Sequence, residues 1–368
     1  VGHAVRFTYL KTAAAMHERL SGTQNYLPSL EAAWRYLTTK RTYLTGGIGS
    51  LPEIEGFGRD YELNPEFAYA ETCAALGSLF WNREMARLTG SPAYNDLFEW
   101  QLYNATLVGM GLDGRTYLYN NPLTSRGDIQ RREWYSVPCC PSNLSRTCAV
   151  LQNDILVVSE DAVCVQQTIS SAHQLLVGGR EVTLELDSRL PWGGQVALRL
   201  GGAEELPLNL KLRLPSWATV VTLRLNGTVL REITRPPLRT LDPQRSDWIE
   251  VGHTWAADDV LELDFALPVQ LLRTHPRVKG LGGKAALSRG PLVYCLESVD
   301  NPGVDIFDVT VDPASLSSEF CPELLGGTSV IQARSTNGQA LTFIPYHLWG
   351  NRGQSQMTIF VAIPEEHA

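Results

Sequence analysis

Residues 182–186 read Val182-Thr183-Leu184-Glu185-Leu186, with apolar and polar residues in strict alternation. A period of two turns one face of an extended chain toward a core and the other toward water, so this stretch is a half-buried strand. The pattern returns from Leu208 to Leu214 and from Val220 to Leu225. The second of these runs into Asn226-Gly227, a dipeptide suited to a tight hairpin turn. Further strands are expected at 260–266, 291–296 and 357–363. Strand spacing and turn chemistry predict an all-β region built as a sandwich.

Moving back toward the N-terminus, the period changes near residue 155. Ala4 to Arg19 carries an apolar stripe at helical spacing, and so does Ser29 to Lys40, where Leu30, Ala33, Trp34 and Leu37 share a face. Tyr69 to Leu88 is a third helix, closed by Gly90. Ala93 to Met110 is a fourth, ending at Gly111-Leu112-Asp113-Gly114. Long loops rich in Gly and Pro occupy 45–66 and 113–143. Loops of that length inside a compact domain usually carry function. The expected fold class is therefore an α + β multidomain protein, helical over 1–152 and β over 153–368.

Composition narrows the function. The chain has 368 residues, 44% hydrophobic and 19% charged, which fits a globular protein of two or three domains. A net charge of −8 argues against a nucleic-acid partner, because phosphate binding needs clustered Lys and Arg. No apolar run approaches the roughly 20 residues of a membrane span. The chain begins Val1-Gly2-His3, with no Met and no signal-type segment, so its N-terminus does not indicate localisation. Seven cysteines, an odd number in a chain too large to need disulfides, predict a reduced, cytoplasmic setting with metal-binding or catalytic thiols.

Three clusters could do chemistry: Glu53-Ile54-Glu55, Glu71-Thr72-Cys73 at the start of the third helix, and Cys139-Cys140-Pro141 in the loop before Asn143. Glu71, Cys73, Cys139 and Cys140 are donors of the kind zinc prefers. The spacing is no finger spacing, however, since no Cys-x-x-Cys occurs. Adjacent cysteines face opposite ways in an extended chain, and Pro141 biases Cys140 toward extended backbone. A shared metal would need a tight bend there. Residues two apart on a helix do not share a face either, so Glu71 and Cys73 would have to sit at or before the helix start. Spacing alone leaves a metal site and a pair of buried structural cysteines with a solvated glutamate both open. Glu55 and Glu71 also read as a glycosidase carboxylate pair, or as two of many water-facing acids. His3, Tyr117 and Tyr119 have ordinary packing roles as their alternative.

At these residues the sequence resembles glycoside hydrolase family 127, the β-L-arabinofuranosidase family, with family 146 close by. Gly2-His3-Ala4-Val5-Arg6, Tyr69-Ala70-Glu71-Thr72-Cys73 and Cys139-Cys140-Pro141-Ser142-Asn143 carry the resemblance. Thr45 to Ser50, Tyr119-Asn120-Asn121-Pro122-Leu123, Leu214-Pro215-Ser216-Trp217-Ala218 and Arg289-Gly290-Pro291-Leu292-Val293-Tyr294 extend it along nearly the whole chain. The resemblance implies an (α/α)6 barrel followed by β-sandwich domains. It implies a zinc ion held by Glu71, Cys73, Cys139 and Cys140, with Cys139 as nucleophile. Glu55, sixteen residues before Glu71, falls at the acid/base position, and His3 and Tyr119 fall at sugar-contacting positions.

The implied reaction is retaining hydrolysis of β-L-arabinofuranosides, and the implied partner is an arabinofuranoside-containing glycan or oligosaccharide. A homodimer through the β domains is a further expectation; a nucleic acid or membrane partner is not. The family's barrel begins well before the Gly-His-Ala-Val-Arg motif, so the chain is expected to hold only the C-terminal part of that barrel. Two rivals stand beside this reading. In one, zinc is structural and Glu71 is the nucleophile. In the other, the chain is a truncated, non-catalytic carbohydrate-binding or remnant protein with a structural zinc cluster.

Overall fold

The structure, a computed structural model, describes residues 2–159, 162–202 and 205–364. It is an α + β chain with several sheets and few helices. Five α-helices lie before Leu151: α1 (Ala4–Ser21), α2 (Leu27–Lys40), α3 (Thr72–Thr89), α4 (Pro92–Trp100) and α5 (Cys139–Val150). Apart from the two-residue strand Thr124–Ser125, every described strand follows them.

The chain divides into two compact units. One takes the chain up to Thr147, Arg239–Leu241 and the stretch from Val269 onward; the other takes Cys148–Leu238 and Asp242–Pro268.

In the first unit α3 is the central helix. Its residues from Thr72 to Asn82 are all buried, as are Glu84, Met85 and Ala86. Gly90 ends it in the left-handed conformation that glycine adopts without a Cβ penalty. Trp34, Leu30 and Leu37 of α2 and Trp81 and Met85 of α3 share one hydrophobic core. A buried polar chain runs through that core. The Trp34 indole donates to Asn82 Oδ1 at 2.7 Å, and the Asn82 amide donates to Gln101 Oε1 at 3.0 Å. Gln101 Nε2 in turn donates to Ser78 Oγ and to the Gly46 carbonyl. A fully satisfied network of this kind fixes one arrangement, here the loop that leads to Glu55.

The helix expected over 93–110 is interrupted. The α-helix stops at Trp100, a π-turn spans Gln101–Thr106, and a short 3-10 turn spans Leu107–Gly109. Within the π-turn the Asn104 amide donates to the carbonyls of Trp100 and Pro291 and accepts from the Val293 backbone at 2.8 Å. That clamp ties the turn to the strand Leu292–Glu297, a tertiary contact the helical period does not encode. Leu292–Glu297 sits inside a nine-stranded antiparallel sheet with Ala340–Pro345, Thr328–Ser335 and Lys284–Arg289 among its members.

The second unit holds a four-stranded and a six-stranded sheet. The alternation first met at 182–186 belongs to the strand Arg180–Ser188 of the six-stranded sheet, with Val182, Leu184 and Leu186 buried. Among the described residues no helix is long and apolar enough to cross a membrane.

Candidate active site

The site is built on two helix starts and the loops that reach them. Glu71 is the N-cap of α3 at φ −59° and ψ 136°, outside the helix proper, while Cys73 lies in the first turn. Two residues apart on a regular helix would diverge; the cap position removes that obstacle. Cys139 and Cys140 do not lie in a loop, as their neighbour Pro141 led us to expect. They open α5. Proline disfavours helical backbone in the residue before it, yet it is tolerated in a helix's first turn, where its missing N–H is no loss. The Ser142 hydroxyl, donating to the Pro138 carbonyl at 2.8 Å, helps hold this start.

The four side chains meet. Donor atoms of Glu71, Cys73, Cys139 and Cys140 all lie within 4.8 Å of one another. The Cys139 and Cys140 thiols lie 3.8 and 3.9 Å from Glu71 Oε1 and 4.0 Å from each other. Glu71, Cys73 and Cys140 are buried. Glu71 Oε2 is buried with no hydrogen-bond partner, an arrangement that costs a few kcal/mol if nothing else meets it. Three soft thiol donors and an oxygen with a vacant lone pair fit a metal ion.

Glu71 belongs to a second cluster as well, with His3 and Glu55, again within 4.8 Å. His3 Nε2 is 2.9 Å from Glu55 Oε2, and the Tyr69 hydroxyl donates to Glu55 Oε1 at 2.7 Å. Tyr119 Oη sits 3.3 Å from Cys139 Sγ. The backbone makes this geometry. His3 and Gly56 form an isolated antiparallel bridge, and a Cβ on Gly56 would come within 2.1 Å of the Gly2 carbonyl oxygen. Only glycine lets the Glu55 loop approach His3 so closely. Glu55 itself has φ 49° and Ala70, just before Glu71, has φ 37°. Left-handed backbone at non-glycine residues carries strain of order 1–3 kcal/mol, and both cases fall beside functional candidates. The loop carrying Tyr119 is stitched to the start of α3 by Thr72, whose N–H donates to the Tyr119 carbonyl at 2.9 Å and whose hydroxyl donates to the Leu118 carbonyl at 2.8 Å.

Burial raises the Glu71 carboxyl above its ordinary range, with the Tyr119 hydrogen bond opposing and Glu55 adding to the rise. Burial likewise pushes the Cys139 thiol up to about 11. Cys140 is raised first by its hydrogen bond with Cys73 and then by burial, whereas the same bond lowers Cys73. Such a cluster resists full ionisation unless a cation is present to reward it.

Two residues without a role assigned from the sequence stand out. One is Tyr69, on Glu55. The other is Asn143, whose amide donates to Cys73 Sγ at 3.0 Å. Asn143 Oδ1 accepts from the Tyr9 hydroxyl at 3.3 Å, and Arg146 donates to that hydroxyl at 3.1 Å. Both residues stand inside the quoted motifs, which is the only signal the sequence held for them.

Comparison with known proteins gives a consistent result. Family models match in chain order: "Beta-L-arabinofuranosidase, GH127 catalytic domain" over residues 1–153, "Beta-L-arabinofuranosidase, GH127 middle domain" over 162–267, and "Glycoside hydrolase family 127 C-terminal domain" over 269–362. The non-reducing end beta-L-arabinofuranosidase of Bifidobacterium longum subsp. longum is 30% identical, across 98% of this chain and 59% of its own length. A crystal structure of a GH127 beta-L-arabinofuranosidase from Geobacillus stearothermophilus superposes with a TM-score of 0.89 at 32% identity, covering 99% of this chain and 61% of its own. A GH127 beta-arabinofuranosidase structure also gives 0.89, at 29% identity, covering 99% and 60%.

These matches first define a class, the multidomain glycosidases. Within it, the chain belongs to glycoside hydrolase family 127. It spans about 60% of the length of the relatives it matches.

Proposed function

We propose that this chain carries the centre of a retaining β-L-arabinofuranosidase, with Cys139 as nucleophile and Glu55 as acid/base. The observation that carries the reading is the meeting at Glu71 of the thiol cluster and the His3–Glu55 pair. Zinc is the metal we assign to Glu71, Cys73, Cys139 and Cys140; bound there, it would favour thiolate over thiol. The remaining chemistry falls to the chain's own side chains. Glu55 protonates the glycosidic oxygen as the bond from it to the anomeric carbon breaks and a bond from Cys139 Sγ to that carbon forms. Glu55, now a carboxylate, takes a proton from water, whose oxygen displaces the sulfur. Two inversions give retention. The Tyr69 hydroxyl and His3 Nε2 each hold one Glu55 oxygen, which fixes the carboxyl against the leaving group. Tyr119, touching Cys139, and His3 would contact the sugar. Seven cysteines with no disulfide among the described residues fit a reducing compartment such as the cytoplasm.

The finer reading of the fold is that α1 to α5 are part of an (α/α)6 barrel. Leu10 and Leu20 of α1 are 67% and 72% exposed, as expected of a helix face that packs against further helices. The same exposure favours a second reading, in which the chain by itself is non-catalytic.

Incubation with a β-L-arabinofuranoside bearing a good leaving group tests both. Proton NMR should show the β anomer of arabinose released first, and mass spectrometry of the quenched protein should find the sugar on Cys139. A glycosyl adduct that survives in Cys139→Ser but vanishes in Glu71→Gln would instead make Glu71 the nucleophile. No turnover by folded, zinc-loaded protein would favour the non-catalytic reading.

A further inference from the structure

Arg59, Arg277 and Lys279 line a cavity of about 350 Å³ together with Tyr61 and Asn64. A neighbouring cavity of about 210 Å³ shares Asn64 and Lys279 and adds Lys284. The two cavities adjoin along this groove of the first unit through Asn64 and Lys279, and their lining has more cations than acids in a chain that is −8 overall.

Asp60, Glu62 and Glu66 also line these cavities, and two of the three are ion-paired. Asp60 receives Arg41 at 3.1 Å and Lys40 at 3.3 Å, as well as the Tyr36 hydroxyl. Glu62 Oε2 accepts the Arg59 backbone N–H at 2.6 Å. Glu66 pairs with Arg126 at 3.2 Å. Among the described residues no carboxylate pairs with Arg59, Arg277, Lys279 or Lys284. Four unpaired cations thus face one unpaired carboxylate, Glu62, across the two cavities, an excess of positive charge that favours an entering anion.

The groove also has an ordered platform. Tyr61 has φ 63°, a left-handed conformation that a bulky side chain rarely adopts. Its N–H is held by the Lys40 carbonyl at 2.9 Å. That backbone directs the ring onto His275, stacked at 4.3 Å between centroids, and the Arg277 guanidinium lies 4.5 Å from the Tyr61 ring. The strain is maintained where a flat aromatic pair and a guanidinium meet, and an observed outlier of this kind points to a site. A guanidinium flanked by an aromatic platform suits a planar carboxylate attached to a sugar ring: the fork binds the oxygens, and the rings take the apolar face.

We propose that this groove binds an acidic segment of a glycan, a uronic acid residue or a short run of them, so that the protein prefers glycans carrying carboxylates. The charge argument stands alone; the choice of a glycan over other anions rests on the function proposed above. Direct binding separates the two. Trigalacturonic acid titrated into the full chain should bind, with an affinity that falls as salt is raised. Its methyl ester should bind at least roughly tenfold more weakly, and so should the acid to an Arg277→Gln/Lys279→Gln variant, both being the change expected when charge-assisted contacts are lost. Equal binding of acid and ester, unchanged binding by the double variant, or displacement of the acid by equimolar inorganic sulfate would overturn the proposal. Hydrolysis of a neutral arabinofuranoside, measured in parallel, should be the same in the variant. Its absence in the parent chain would count against the proposed reaction while leaving the binding result to stand.

Discussion

The start of α3 with its partner α5 and the six-stranded sheet of the second unit obey opposite rules. In the sheet, local and global preferences agree. Leu263 lies opposite Val196 on one neighbouring strand and Leu223 on the other, and all three are buried. Around Glu71, nearly every preference is broken. A carboxyl is buried with an unmet oxygen, three thiols crowd together, and two non-glycine residues stand in left-handed backbone. Sequences are expected to depart from local consistency where function demands it. The comparison therefore predicts that substitutions in the two places will fail differently: the sheet in stability, the cluster in chemistry.

Glu55→Gln should produce the largest effect. A group that serves first as acid and then as base is worth about 10²–10⁴ in rate, so hydrolysis of an arabinofuranoside should fall by about that factor while thermal unfolding barely moves. Azide should restore the second step as a glycosyl azide, which needs no base. Full activity in this variant would remove Glu55 from the mechanism and dissolve the contrast.

Leu263→Ala attacks the other side. Deleting a fully buried leucine costs about 2–5 kcal/mol, because a cavity remains. Chemical denaturation should show that loss in the transition of the second unit. The rate constant of molecules still folded should be unchanged. A large fall in turnover per folded molecule would mean that the sheet does more than support itself.

How far the sequence disclosed these two regions follows from the range of the forces involved. Alternation at 182–186 and the stripe of α2 are local, so the period alone recovers them; α1 is helical as expected, but it buries Ala4, Thr8, Ala15 and Glu18 and leaves Leu10 and Leu20 exposed. The helix start at Cys139 is not recoverable this way, because Pro141 weighs against helix at Cys140 and only the surrounding fold outweighs it. The break after Trp100 is invisible for a similar reason: Asn104 is clamped to Pro291 and Val293, far along the chain. Glu71, Cys73, Cys139 and Cys140 stand out as a donor set by residue type, but their spacing leaves a metal site open, and only the family resemblance chooses it. Tyr69 and Asn143 act through hydrogen bonds to residues brought near by folding, and only their place inside the quoted motifs marks them in the sequence.

Asn143 offers a finer cut. Its amide reaches Cys73 Sγ, and its Oδ1 accepts from the Tyr9 hydroxyl, which Arg146 in turn holds. Supporting partners of this kind typically account for a factor of about 10–100 in metal affinity. Zinc affinity of Asn143→Ala, measured by competition with a chromophoric chelator, should fall by about that amount, with the Tyr9→Phe variant affected less. An unchanged affinity would leave Asn143 as a packing residue and place the metal preference wholly in the four ligands.

The smallest effect returns to the second unit, where a polar knot closes the hairpin at Asn226. Asp259 accepts from the Ala256 backbone at 2.8 Å, the Asn226 amide at 2.7 Å and His253 Nε2 at 3.1 Å. These bonds, the Ala256 N–H first and the Asn226 amide next, hold its carboxyl below the ordinary aspartate range. A carboxyl with a depressed folded pKa binds protons more readily when unfolded. Its contribution is therefore fully present above the ordinary aspartate value near 3.9 and is lost as pH falls through the lower folded value. The residue is buried, and a net hydrogen-bond contribution of this kind is about 1 kcal/mol. Melting of the second unit followed from pH 6 downward, roughly through the carboxylate range, should steepen in its acid limb, and Asp259→Asn should flatten that limb slightly while leaving hydrolysis at neutral pH untouched. If the asparagine variant keeps the same acid limb, the knot is bonded but not coupled to folding. The sheet's stability then rests on Leu263 and its neighbours alone.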